Sequence, residues 1–139
     1  MTLVRAQAVD EGVPDSYLLK QAILRLVPLR RKAYESGKEV LLIGLKPSAG
    51  GARVATRLFD FCGAHTWKTD QVFRLTDDII LLALPGANLQ QSENIATRIA
   101  NDFYLACPGE YHLDFSGAIL SGASETEVSA SLAGLLAIL

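Results

Sequence analysis

Two adjacent carboxylates, Asp77 and Asp78, stand between two apolar stretches of the sequence. Residues 71–75 before them are mostly apolar, and residues 79–84 after them are entirely apolar. This pattern predicts two strands joined by a tight polar turn, and the second strand should be covered on both faces in the middle of a sheet. Hairpin tips carry function more often than the middles of strands do, but Asp is also a common turn residue. The local sequence favours the turn interpretation.

The other residue types that carry chemistry form no recognised pattern. The two cysteines and the two histidines lie at spacings that match no metal site. The glycine-rich loop 46–51 follows a predicted strand, but it lacks the Lys-Ser/Thr ending of a Walker loop, so a plain connection is expected. The basic residues 30–32 are interpreted as a solvated face of a helix.

Composition places the chain among folded single-domain proteins. It has 139 residues, half of them apolar, and a net charge of -2, which gives no electrostatic basis for nucleic-acid binding. No apolar run approaches the length of a membrane span, and the first residues carry no secretion signal. With both cysteines interpreted as reduced core residues, we predict a cytoplasmic protein.

Eight elements are predicted between residues 14 and 139, after a loose lead-in over residues 1–13. The first helix should begin at Pro14 with Asp15 or Ser16 as its cap, and Pro28 should kink or divide it. The others are a strand over 39–45, a helix over 51–62 ended by Gly63, the two hairpin strands, a helix capped by Asn88, a strand over 111–120, and a helix that begins at the capping box 124–127.

The element order contains a βαββαβ unit, which predicts a ferredoxin-like or palm-type α/β (α+β) fold. Its sheet should contain a central antiparallel hairpin, with helices packed on the sheet. A flavodoxin-like sheet would need a helix between the second and third strands, and five residues or fewer cannot supply one.

The hairpin also resembles the signature of GGDEF domains, the domains of diguanylate cyclases, which join two GTP molecules into cyclic di-GMP. That signature is an arginine, one residue, Gly-Gly-Asp-Glu-Phe, and an apolar strand ending in Leu-Pro; here the stretch from Arg74 to Pro85 keeps its spacing. Residues 96–99, Ala-Thr-Arg-Ile, are similar to an Ala-Glu-Arg-Ile/Leu segment of the family. The resemblance implies a bacterial signalling domain.

The resemblance also implies where the chain departs from an active cyclase. The first-strand carboxylates that hold metal in the family correspond to Gly44 and Lys46, and only Asp78 keeps an acidic hairpin position. Thr76 and Asp77 replace the two glycines through which the backbone approaches the nucleotide. We therefore expect no enzymatic activity and no metal or other cofactor, with the Lys46 ammonium close to the hairpin carboxylates.

The family's product-binding Arg-x-x-Asp corresponds to residues 67–70, where Asp70 is kept and Trp67 replaces the arginine. The leading hypothesis is an inactive regulatory or scaffolding domain that contacts a protein partner, or a second copy as a homodimer. Trp67, Phe61 and Tyr104 are its candidate contact residues, although core packing is favoured for the last two. The alternative is a receptor for cyclic di-GMP or GTP, with the candidate ligand-binding residues Arg74, Asp77, Asp78, Asp70, Lys68 and Trp67.

Overall fold

The computed structural model describes residues 13–65 and 70–139, with side chains from Tyr17 onward. The predicted lead-in therefore lies outside the described residues, except for Val13. The elements, in chain order, are α1 (Val13–Glu35), β1 (Val40–Pro47), α2 (Gly51–His65), β2 (Gln71–Thr76), β3 (Ile79–Pro85), a 3₁₀ turn (Leu89–Gln91), α3 (Ser92–Ala106), β4 (Leu113–Ile119) and α4 (Glu125–Ile138).

The four strands form one antiparallel sheet in the order β2-β3-β1-β4. The apolar strands β1 and β3 are the two inner ones, and Leu45 pairs with Ile80 across them. The predicted βαββαβ fold is confirmed, as is the interior position of the second hairpin strand. The first hairpin strand, β2, lies at the edge of the sheet, so only half of the hairpin is central.

Each face of the sheet has its own hydrophobic core because side chains alternate along β1 and β3. Val40 and Leu42 point to the face covered by α1 and α4, where they pack in one cluster with Leu26 and Leu132. The intervening residues of β1 point to the opposite face, covered by α2 and α3, where Phe103 is the largest fully buried side chain. Two covered faces explain why both inner strands are apolar, apart from Lys46 near the end of β1.

Helix α1 is continuous through Pro28, so the prediction that proline would divide it is wrong. Proline removes one helical hydrogen bond, to the carbonyl of Leu24. Both Pro28 and Leu24 are exposed, so water can satisfy that carbonyl. Asp15 and Ser16 lie inside the helix, which already includes Val13, and neither is its cap.

Three residues test the predicted start and stop signals of the helices. Helix α2 runs to His65, so Gly63 does not end it; a glycine within a helix weakens it by only about 1 kcal/mol. The Ser124 capping box is confirmed, with the Ser124 hydroxyl accepting the Glu127 backbone N–H. Asn88 caps the 3₁₀ turn that leads into α3.

No helix within the described ranges is long and apolar enough to cross a bilayer.

Candidate functional site

The hairpin tip is a two-residue turn in which Asp77 and Asp78 join the paired residues Thr76 and Ile79. The Thr76 hydroxyl donates to Asp78 Oδ1 at 3.0 Å and accepts the backbone N–H of Asp78 at 3.3 Å. Asp77 is exposed and Asp78 is half-buried. The Asp78 carboxylate thus accepts a hydrogen bond within the turn itself.

Arg74 ties this hairpin tip to helix α2. Its Nη1 donates to Thr56 Oγ1 at 2.8 Å, and its Nη2 donates to the backbone carbonyls of Ala52 at 3.1 Å and Asp77 at 2.6 Å. A bulge between Arg74 and Thr76 adds one residue to β2 at this point. The guanidinium, which was predicted to bind a ligand, therefore has three intramolecular acceptors.

We predict that Arg74→Ala destabilises the domain by about 1–3 kcal/mol, because it removes all three hydrogen bonds and leaves the hairpin tip unattached to α2. Arg31→Ala, at an exposed position of α1, is the matched control and should change stability by less than about 0.5 kcal/mol. Chemical denaturation of both variants measures the difference. Equal stability of the two variants would show that the Arg74 contacts contribute nothing to the fold.

Gly44 occupies the β1 position at which the resembled family has a metal-binding carboxylate, and α4 covers it. A Cβ atom on Gly44 would lie 2.5 Å from Leu135 Cδ2 and 2.8 Å from Leu139 Cδ1. Leu135 is buried in the core between α4 and the sheet. A side chain at position 44 would therefore meet leucine methyl groups rather than a metal or a nucleotide.

The Lys46 ammonium was predicted to lie close to the hairpin carboxylates. Lys46, Asp77 and Asp78 all belong to the described part of the chain, and Lys46 forms no ion pair with either aspartate within 4.0 Å. Lys46 pairs with Asp114 of β4 on one side of β1. On the other side Leu45 pairs with Ile80 of β3, so Lys46 stands at the end of β1 that adjoins the hairpin.

The residues do not fit the magnesium that the resemblance implies. Within residues 13–65 and 70–139, no three His, Cys, Asp or Glu side chains are grouped so that they can hold a metal ion. A cation as strongly hydrated as Mg²⁺ needs carboxylates or phosphates to replace its water. Asp78 alone, with Gly44 enclosed by α4, does not provide that set.

Asp70 lies far from the hairpin tip. It precedes β2, whereas Asp77 follows it, and six extended residues separate their ends by roughly 20 Å. Asp70 instead lines a groove of about 510 Å³ with Phe61 and His65 of α2 and Arg98 and Asp102 of α3. Among the candidate ligand-binding residues that the structure describes, Asp70 is thus separated from Asp77 and Asp78 at the hairpin tip.

Three aromatic residues were candidates for a protein contact. Trp67 and the candidate ligand residue Lys68 lie outside the described residues. Phe61 is partly buried against the α2/α3 core, with its ring 5.5 Å from that of Phe103. Tyr104 is partly buried, and its hydroxyl accepts the Leu113 backbone N–H at 2.9 Å. Core packing, the favoured interpretation of both residues, is thus confirmed for Phe61, whereas Tyr104 is half-buried against the Tyr111 ring and belongs to neither core cluster.

Two features of this region were not predicted from the sequence. Arg98 appears in the motif segment 96–99, but only the packing of α3 beside β3 brings it to the groove with Asp70. The sequence also does not indicate that Leu135 and Leu139, near the end of the last helix, cover Gly44. The missing side chain at position 44 was the one available signal.

No family model and no curated protein sequence matches the chain. Its structure is similar to the GGDEF domain of DgcB from Caulobacter crescentus, solved in complex with c-di-GMP, with a TM-score of 0.66 and 14% identity over 99% of this chain and 90% of that one.

Two further solved structures show the same likeness. A sensory box/GGDEF family protein from Caulobacter crescentus has a TM-score of 0.62 and 13% identity, over 83% of this chain and 86% of that one. A DGC protein from Thermotoga maritima has a TM-score of 0.58 and 19% identity, over 84% and 92%. Its four-stranded antiparallel sheet and four helices match the fold of these neighbours, and the chain therefore has the fold of a GGDEF domain.

Proposed function

We propose that this chain is a non-catalytic signalling domain of the GGDEF fold that acts as a regulatory or scaffolding module through contact with a protein partner. The observation that carries the proposal is the enclosure of Gly44. Leu135 and Leu139 of α4 fill the space that a first-strand carboxylate would need. Two-metal catalysis of phosphodiester formation requires carboxylates that hold both cations in place. Because β1 cannot contribute such a carboxylate at position 44, Asp78 of the hairpin has no carboxylate there with which to share a cation.

The hairpin tip supports the same proposal. Thr76 bonds to Asp78, and Arg74 bonds to Thr56 and to the Ala52 carbonyl, so the polar groups of the tip serve the fold. Thr76 and Asp77 also place β-carbons where the resembled signature has glycines. Close approach of a nucleotide to the backbone is therefore hindered at both positions.

The exposed face of α1 is the surface we propose for the partner contact. Tyr17 is 63% exposed and Leu24 is 50% exposed. They lie seven residues apart, which places them on one side of the helix, and the exposed Pro28 continues the same line. Large apolar side chains that water can reach are candidate anchors for an interface, including one between two copies of the chain.

The two cysteines, buried and free, are consistent with a cytoplasmic location.

A second candidate function is reception of cyclic di-GMP without turnover. The observation in its favour is the groove in which Asp70 and Arg98 lie together, because a guanidinium and a carboxylate suit phosphate and guanine edges respectively. The DgcB domain that shares the fold was solved with c-di-GMP bound. Trp67 in place of an arginine weakens this candidate.

Thermal unfolding with added ligand separates the two candidates, because a ligand that binds only the folded state raises the melting temperature. We expect no shift with GTP and Mg²⁺, and none with cyclic di-GMP. A shift with cyclic di-GMP that Arg98→Ala abolishes would favour the receptor. A Mg²⁺- or GTP-dependent shift that is lost in the double variant Asp77→Asn/Asp78→Asn would contradict the scaffold proposal. Asn keeps an acceptor for Thr76, so that variant should otherwise melt like the parent.

A further inference from the structure

A second pocket, separate from the hairpin and from the groove at Asp70, lies between the first half of α2 and the loop that joins α3 to β4. Its volume is about 270 Å³. The described charged and polar side chains that line it are Arg53, Arg57, Cys107, Glu110 and Tyr111. A nucleophilic sulfur is therefore placed in a cavity with two guanidinium groups and one carboxylate.

Arg57 forms a hydrogen bond with the Cys107 sulfur. Its Nη1 donates to Cys107 Sγ at 3.4 Å. That hydrogen bond is the main cause that lowers the pKa of the Cys107 thiol below its ordinary value, and the positive charges of Arg57 and Arg53 act in the same direction. Burial opposes them by favouring the neutral thiol. A cation that donates to a thiolate stabilises the form that reacts as a nucleophile.

Tyr111 and its neighbours fix the loop around the sulfur. The Tyr111 hydroxyl donates to the Cys107 backbone carbonyl. The Tyr111 ring packs against Tyr104 of α3, with ring centroids 5.4 Å apart. Burial and the nearby Cys107 raise the pKa of Tyr111 to about 12, so it stays a neutral donor at physiological pH. The groups that face Cys107 are thus Arg53 and Arg57 from α2, Glu110 and Tyr111 from the loop, and Tyr104 behind Tyr111.

Cys62 provides an internal comparison. It is 2% exposed in the α2/α3 core, and burial raises its pKa to about 12. At pH 7 the Cys62 thiol is therefore protonated, and a protonated thiol is a poor nucleophile. Cys107 belongs to the same cluster and is 9% exposed, but it lines the pocket and has the Arg57 guanidinium beside its sulfur.

We propose that Cys107 is a peroxide-reactive thiol, and that the pocket formed with Arg53, Arg57 and Tyr111 is a site of oxidation by small hydroperoxides. The thiolate sulfur attacks the distal oxygen of the hydroperoxide, an S–O bond forms, and the O–O bond breaks. The sulfur loses two electrons to the peroxide, which leaves as an alkoxide or hydroxide and takes up a proton from water. Arg57 and Arg53 stabilise the charge of the leaving oxygen and of the resulting sulfenate.

The first experiment treats the intact chain with hydrogen peroxide at pH 7 in the presence of dimedone, which captures sulfenic acids, and locates the adduct by peptide mass spectrometry. We expect capture at Cys107 and none at Cys62. In parallel, iodoacetamide should alkylate Cys107 roughly a hundredfold faster than Cys62, because thiolate fraction outweighs the higher intrinsic reactivity of the more basic sulfur. Equal rates, or labelling of Cys107 only after unfolding, would overturn the proposal.

Variants of Arg57 and Arg53 test whether these guanidinium groups make the Cys107 thiol reactive. Arg57 is exposed, so Arg57→Gln should fold, which its thermal melt verifies. We expect the pH midpoint of Cys107 alkylation to rise in this variant and the rate at pH 7 to fall, with a smaller effect for Arg53→Gln. Arg31→Gln, on α1, is the matched control and should change neither quantity. An unchanged midpoint in Arg57→Gln would overturn the proposal even if Cys107 reacts with peroxide.

Discussion

Ile80→Asp should unfold the domain. Ile80 is 0% exposed in the inner strand β3, where it pairs with Leu45 of β1 and packs in the core beneath α2 and α3. A carboxylate at this position would be buried among apolar side chains without a partner, which costs several kcal/mol. Domains of this size are stable by only about 5–15 kcal/mol, so most of the stability would be lost.

Circular dichroism with thermal and urea unfolding measures this effect. Ile138→Asp is the matched control, because Ile138 is 73% exposed at the end of α4 and the same substitution there should change stability by less than about 1 kcal/mol. A cooperative melt of Ile80→Asp within a few degrees of the parent would show that β3 is not the buried centre of the sheet.

Gly44→Asp should also destabilise the domain strongly, although it restores the residue type of the resembled cyclases. The new Cβ would be placed 2.5 Å from Leu135 Cδ2, and the carboxylate would point among the leucines of α4. Overpacking costs about 1–3 kcal/mol, and burial of the unpaired carboxylate adds to it. We expect a total above about 3 kcal/mol, which lowers the melting temperature by on the order of 10 °C.

Gly63→Asp is the control for the loss of glycine itself. Gly63 is in α2, and nothing lies within 4 Å of a Cβ placed there. Its substitution by Asp should change stability by less than about 1 kcal/mol. If Gly44→Asp instead remained as stable as Gly63→Asp and gained a Mg²⁺-dependent rise in melting temperature, α4 would not enclose position 44, and the main support for a non-catalytic domain would be lost.

The elements of this fold were predictable because they depend on local pattern. The polar break at residues 76–78 between apolar runs predicted the hairpin, and the Ser124 capping box predicted the start of α4. Two boundaries were not predictable in this way. Pro28 and Gly63 are tolerated within helices because tertiary packing and solvent compensate for what each residue removes.

The candidate site was less predictable because its geometry depends on residues far apart in the sequence. Arg74 bonds to Thr56 and Ala52, which are 18 and 22 residues away. Leu135 packs against Gly44, although most of the chain lies between these two residues in the sequence. The sequence alone also did not give the pairing of β1 with β4, which places Lys46 opposite Asp114. Motif spacing identified positions but not their contacts.

The most direct test of the central claim is a turnover assay. The purified chain is incubated with GTP and Mg²⁺, and separately with Mn²⁺, and the products are separated by chromatography. We predict no cyclic di-GMP, because Gly44 is enclosed by α4 and Asp78 is the one acidic residue kept at the family's metal-binding positions. Asp78→Asn is the control for a contaminating enzyme, since it cannot alter contaminant activity. Steady formation of cyclic di-GMP that survives repurification and disappears in Asp78→Asn would contradict the account.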